Sequence, residues 1–302
     1  MIRKIVRGVL IVLALALAFV AVQTIRNWDT IRRTMLGGLH THETVPPVIP
    51  VGIKRPAILV FSKTNGFRHE EAIPAANAML AQLAKDKGWG YYQTENGAAF
   101  TPAVLSQFDA VVFNNASGDV FNADQQAAFK TWIENSGGYV GIHAAGDDSW
   151  KGWRWYTDEM IGANFIGHPF DPQFQMATVR IEDAGNPSTI GLPKEWKRVD
   201  EWYSFDKPAR KPGYTVLATL DEATFANHKI FSKNIAMGKD HPIAWWHCVG
   251  PQGGRRGRVF YSAMGHQASA YAEPEYKAML TGAISWALRL EGTGCDASGA
   301  KP

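Results

Sequence analysis

Unbroken apolar runs and amphipathic stretches alternate through the first half of the chain. Residues 57–61 (AILVF), 110–113 (AVVF) and 139–142 (YVGI) are short and wholly apolar, with polar or small residues after each. That is the pattern of strands buried on both faces of a parallel sheet. Helical spacing lies between them. Pro74 opens a segment with Ala75, Met79, Leu80 and Leu83 on one face, and Gly88 stops it. Thr101-Pro102 starts a short helix, and Asn122 caps another from 123 to about 135. With a second strand at 91–92, the β-α-β-α order predicts a doubly wound parallel sheet with right-handed crossovers.

Beyond residue 150 the alternation gives way to an aromatic-rich excursion, Trp150 to Phe170, which could wall a pocket. Strand patterns follow at 175–181, at 200–205 with two carboxylates at its start, and at 214–220. A final pair, 243–247 and 258–262, is joined across a Gly/Pro turn at 250–254, and a helix from 274 to about 290 closes the fold.

The N-terminus carries a different pattern. Arg3, Lys4 and Arg7 precede an uncharged apolar run from Gly8 to Val22, which matches a secretory signal or an uncleaved anchor; Ala21-Val22-Gln23 is a poor cleavage site. Export of the body out of the cytoplasm, into the periplasm or onto the inner membrane, is expected either way. The division expected is a signal or anchor at 1–23, a Gly/Pro-rich linker at 24–51, one domain at 52–291 and a disordered tail at 292–302. Cys248 and Cys295, the two cysteines, could pair in an oxidising compartment, and a free buried Cys248 is the other option.

Composition narrows the function classes. The net charge is only +3, with no basic stripe interleaved with aromatics, so nucleic acid is not an expected partner. There is no GxSxG elbow, P-loop or GxGxxG, which disfavours serine hydrolysis and nucleotide binding. What remains is a set of polar residues where strands run out: His69 after the first, His143, Asp147 and Asp148 after the central one, Glu201 on the acidic strand, and His266 after the last. His168, His241 and His247 lie near other strand or loop ends. Ligand crevices of open α/β sheets lie beyond the carboxyl ends of their strands, so these residues form a candidate site. Histidine beside a carboxylate suits proton transfer near neutral pH, and the same residues leave a divalent metal open, although no HExxH spacing is present. A histidine of this kind taken singly is more often a satisfied structural residue, and it is four or five at one edge that favour a site.

The residues also resemble a family. Phe67-Arg68-His69, the run from Gly137 to Asp147, Gly167-His168-Pro169, Asp200-Glu201-Trp202-Tyr203, Asp240 to Trp245, and Gly257 to Tyr261 running into Gly265-His266 are similar, in order over about 55 to 290, to ThuA-like (trehalose utilisation) proteins. The resemblance implies a class I glutamine amidotransferase-like, flavodoxin-like three-layer α/β sandwich with a mostly parallel central sheet. His143 stands where amidotransferases carry their nucleophilic cysteine, so thioester chemistry is not expected. It further implies disaccharide catabolism in which a partner sugar 3-dehydrogenase makes a 3-keto-glycoside, which this chain would cleave by lyase or hydrolase chemistry. In that reading His143, Asp147, Glu201 and His266 are catalytic, with His143 or His266 as base. Arg68, His69, Asp148, His168, Trp202 and His241 contact the sugar, and no redox cofactor is required. A metal-dependent hydrolase and a non-catalytic carbohydrate-binding protein are the alternatives.

Overall fold

The computed structural model describes residues 2–226 and 228–296; Met1, Asn227 and the last six residues of the expected tail lie outside the described range. The apolar runs form strands β1 (Ala57–Phe61), β2 (Gly90–Thr94), β3 (Ala110–Asn114) and β4 (Gly138–Ile142), and β1, β3 and β4 are buried throughout. A short β5 (Phe165–Gly167) precedes β6 (Phe174–Ile181) and β7 (Glu195–Glu201). After them come β8 (Ser204–Phe205), β9 (Tyr214–Asp221), the small hairpin β10 (Lys229–Ile230) and β11 (Lys233–Asn234), β12 (Pro242–Val249) and β13 (Gly257–Ser262).

Among the described residues nine strands make one sheet, in the order β2-β1-β3-β4-β13-β12-β9-β6-β7. It is mixed and not, as the resemblance implied, mostly parallel: the four pairings from β2 to β13 are parallel, and the four from β13 to β7 are antiparallel. The cause is the connections. Helices return the chain from β1 to β2, β2 to β3 and β3 to β4, whereas the direct connections from β6 to β7 and from β12 to β13 reverse it.

The helices are α1 (Ile2–Arg26), α2 (Trp28–Met35), α3 (Ala72–Lys87), α4 (Pro102–Leu105), α5 (Ala123–Glu134) and α6 (Pro274–Ala287). Their ends follow local chemistry. Thr101 accepts from Val104 N, Asn122 and Gln125 form a reciprocal capping box, and Gly88 ends α3 at φ 69°, a conformation that favours glycine. Helices cover both faces of the sheet, giving a three-layer α/β sandwich.

Residues 38–45, expected to lie in the linker, run against the body. Leu39 is buried, its N–H donates to Asn65 O at 2.6 Å, and Glu43 pairs with the buried Lys63 at 2.6 Å. At the other end Cys248 and Cys295 form a disulfide, and Asp296 pairs with Arg258 and Arg289, so the start of the expected tail is fastened to the sheet.

Candidate functional site

The parallel half brings three histidines to one edge. The loop after β1 carries His69, the end of β4 carries His143, and the loop after β13 carries His266. Glu201 comes from elsewhere. Sequence pattern puts it at the start of a strand; it ends β7, the far edge of the sheet, four strands from β13 and about 19 Å away if the sheet were flat. Yet its neighbour Asp200 accepts hydrogen bonds from Gly265 N at 2.8 Å and His266 N at 3.1 Å. The antiparallel half therefore curls over the carboxyl edge of the parallel half and delivers Glu201 to the histidines.

One donor atom from each of His69, His143, Glu201 and His266 lies within 4.8 Å of the others. Glu201 Oε2 is 3.3 Å from His143 Nε2 and 3.0 Å from His266 Nδ1, and the two histidine nitrogens are 3.2 Å apart. His143 Nδ1 donates to Ala263 O at 2.7 Å, which leaves the lone pair of its Nε2 facing the carboxylate. Two acceptors so close need positive charge between them, a proton or a cation. His69 is buried, and its Nδ1 has no hydrogen-bond partner among the described residues. Separations near 3.3 Å are also about those between ligands of a tetrahedral zinc bound at about 2.0–2.1 Å. The donor set fits a divalent cation.

Electrostatics agree with positive charge beside the carboxylate. Burial alone would raise the Glu201 carboxyl, but hydrogen bonds and charge from His143 and His266 overcome it and carry it far below the carboxylate range. Burial, then the neighbouring histidines, lower His69 well below its ordinary value and keep it neutral. His143 sits at φ 50°, an unusual conformation for a residue with a side chain, held by Tyr261 Oη donating to His143 O at 2.8 Å and by the Tyr203 ring against the imidazole at 4.1 Å between centroids. Gly265 makes the matching turn at φ 116°, where a Cβ would lie 2.8 Å from Tyr271 Oη.

His168, after β5, adds a fourth ring. Its Nδ1 lies 3.0 Å from Pro169 O and 3.2 Å from Glu201 Oε1, so the proton sits on Nδ1 and the Nε2 lone pair is left over; burial lowers its pKa. Around the centre stand phenylalanines. Phe67 is 4.9 Å from the His69 ring, Phe174 is 5.0 Å from His266, Phe170 is 5.0 Å from His168, and Phe231 at the β10–β11 tip is 5.4 Å from Phe170. Phe67, Phe170 and Phe231 are exposed.

The other candidate residues are engaged elsewhere. Asp147 is partly exposed and accepts from Ser149 N at 2.9 Å and from the Ser149 hydroxyl, with its carboxyl pushed up to about 7 by desolvation. Asp148 is exposed and pairs with Lys151. Arg68 binds Glu95 through two nitrogens, at 2.9 and 3.0 Å. Trp202 is buried and donates to Gln175 O. His241 uses both ring nitrogens, on Glu222 and on Tyr203 O, each at 2.8 Å, and so supports the Tyr203 turn. Sequence reasoning missed Asp200 as the clamp on His266 and Tyr203 as the wall of His143; their adjacency to Glu201 was the available signal.

A protein-family model described as trehalose utilisation, ThuA, matches residues 57–287. The chain belongs to the ThuA family. Among solved structures, a ThuA-like protein from Bacteroides uniformis is 22% identical over 80% of this chain and 94% of that one, with a TM-score of 0.64. A ThuA-like protein from Parabacteroides merdae is 17% identical over 80% of this chain and 92% of its own, with a TM-score of 0.59. Both share the fold of this ThuA member. Among curated proteins none matches. With both cysteines in the disulfide, this ThuA chain has no free thiol to act as an amidotransferase nucleophile.

Proposed function

We propose that this ThuA protein acts outside the cytoplasm on oxidised glycosides, cleaving 3-keto-glycosides at a centre in which His69, His143, Glu201 and His266 hold a divalent cation. The observation that carries the reading is the convergence of those four buried or half-buried donors, with the His69 Nδ1 unpartnered among the described residues and the His143 lone pair facing a carboxylate. The apolar N-terminal helix and the disulfide support the location. The exposed phenylalanines at the rim support a sugar, whose C–H faces pack on aromatic rings.

The chemistry follows from the ketone. A carbonyl at C3 acidifies the C2 proton, and the bound cation would polarise that carbonyl and stabilise the enolate charge. His168 is the base: its Nδ1–H is held by Pro169 O and Glu201, its lone pair is on Nε2, and its lowered pKa keeps it neutral at pH 7. His168 takes the C2 proton, the electron pair forms the C1–C2 double bond, and the C1–O bond breaks. The proton is returned to the departing oxygen. The products are an enone and an alcohol, and water adding across the double bond gives the free 3-keto sugar. Asp200 and Ala263 O keep His266 and His143 in register throughout.

The test is release of glucose from 3-ketotrehalose by the full chain in detergent, before and after chelation and metal return, with His143→Ala and His168→Asn beside the wild type. Expected are one metal per chain, loss of turnover on chelation or in His143→Ala, and a drop of about 10²–10⁴-fold in His168→Asn with metal content unchanged. Undiminished turnover in the chelated protein overturns the metal; undiminished turnover in His168→Asn overturns the base.

A further inference from the structure

The N-terminal helix does not hang from the body on a loose tether. Arg3–Arg26 is long and apolar enough to cross a membrane, about 36 Å at 1.5 Å per residue against a hydrocarbon core of about 30 Å. Only Asn27 separates it from α2, which buries none of its residues. Trp28, Met35 and Leu36 are exposed apolar side chains on and beside α2, and Arg26 and Arg32 accompany them. Aromatic and apolar groups beside arginines are what an interfacial helix offers to an anionic bilayer.

From α2 the chain goes straight onto the catalytic edge. Arg33 donates to Thr64 Oγ1 at 3.1 Å, Leu39 N to Asn65 O, and Asn65 Nδ2 to Thr41 O at 3.1 Å. The Lys63 ammonium, buried, is neutralised by Glu43, which also accepts from Gly97 N at 2.8 Å. His40 and His42 reach Asp119, beyond the end of β3, at 3.1 and 3.3 Å. Residues 63–65 belong to the loop that carries His69, so the strap and the His/Glu centre share one edge. Releasing the strap would leave Lys63 buried without its partner, a costly step.

The geometry points to an orientation: α2 lies on the anionic bilayer surface in which α1 is embedded, and the edge bearing the His/Glu centre is held facing that surface, so that substrate enters from the membrane side. This rests on the reading of the chain as anchored outside the cytoplasm. With α2 in the surface plane, the hydrogen bond from its Arg33 to Thr64 at 3.1 Å holds the catalytic edge close to the headgroups. A free coil of residues 24–51 would instead roam about 30 Å and leave no preferred face.

The test places the full chain in nanodiscs of anionic lipid carrying a headgroup acceptor dye. A donor dye goes on Glu71→Cys, exposed beside the catalytic edge, or on Gln252→Cys, in the turn at the opposite edge. Energy transfer from position 71 is expected to be at least twofold that from 252, and Arg32→Glu with Trp28→Ser is expected to narrow that ratio while the chain stays in the disc. Equal transfer from an attached chain overturns the orientation alone. A chain whose mature N-terminus, read by mass spectrometry, lies beyond α1 overturns the anchored reading and the orientation with it.

Discussion

Asp200→Asn is the most informative single change. The Asp200 carboxylate is fully buried and accepts from Glu201 N at 2.9 Å, Gly265 N at 2.8 Å and His266 N at 3.1 Å, while Arg198 Nη2 stands 3.0 Å away. Asparagine keeps the shape but removes the charge and sets an N–H where an acceptor was needed. Arg198 is itself buried; it keeps Glu273 at 3.3 Å and the Tyr276 ring at 4.5 Å, so it does not lose every partner. Breaking a buried pair costs about 3–5 kcal/mol, and the remaining contacts put the expected loss at the lower end, about 3 kcal/mol. For a domain of this size that is about 6–12 °C in Tm. Because Asp200 also fixes the backbone of His266, metal affinity is expected to fall about 10–100-fold. Thermal unfolding followed by tryptophan fluorescence, with and without added Zn²⁺ or Mn²⁺, measures both effects, and Arg198→Met paired with Asp200→Asn measures their coupling. A loss below about 1 kcal/mol with unchanged metal affinity would refute the clamp.

Two further outcomes are expected. His247 is buried against Tyr214 with its Nε2 on Met160 O, and burial lowers its pKa to about 4. Its folded value lies below the unfolded 6.5, so protonation favours the unfolded chain: stability is full above about pH 6.5 and falls by about 3 kcal/mol as pH drops to 4. His247→Gln should flatten that limb of a urea-unfolding pH series, and an unchanged slope would count against it. Phe231→Ala is expected to raise KM for a keto-disaccharide by about 3- to 10-fold, worth about 1 kcal/mol, with kcat unchanged; equal kinetics for mutant and wild type would remove Phe231 from substrate contact.

The middle of the parallel half was legible because 57–61, 110–113 and 139–142 are unbroken apolar runs, and β1 has the bounds its pattern gives. Helix ends were legible where a cap or a C-terminal glycine marks them, as at Asn122 and Gly88. The antiparallel half was visible as strands but not as an arrangement, since alternation says nothing about which strand pairs with which. Glu201 illustrates the limit. Its sequence neighbours mark an acidic strand, but its distance from His266 is set by the curl of four strands, a property of the whole sheet. Asp147 and Asp148 follow the central strand just as an active-site residue would, and only side-chain direction, toward Ser149 and Lys151, separates them from the histidines.

The division of the centre between two halves of the sheet has a kinetic consequence. His69 and His143 ride on strands joined by local βα units, which can pair early. Glu201 arrives only when β13 has paired with β4, far earlier in the chain, and β9 has joined the β12–β13 hairpin to the β6–β7 hairpin. A refolding chain can therefore regain most of its far-UV signal while its donor set is still incomplete, and closure of that set marks the last assembly event.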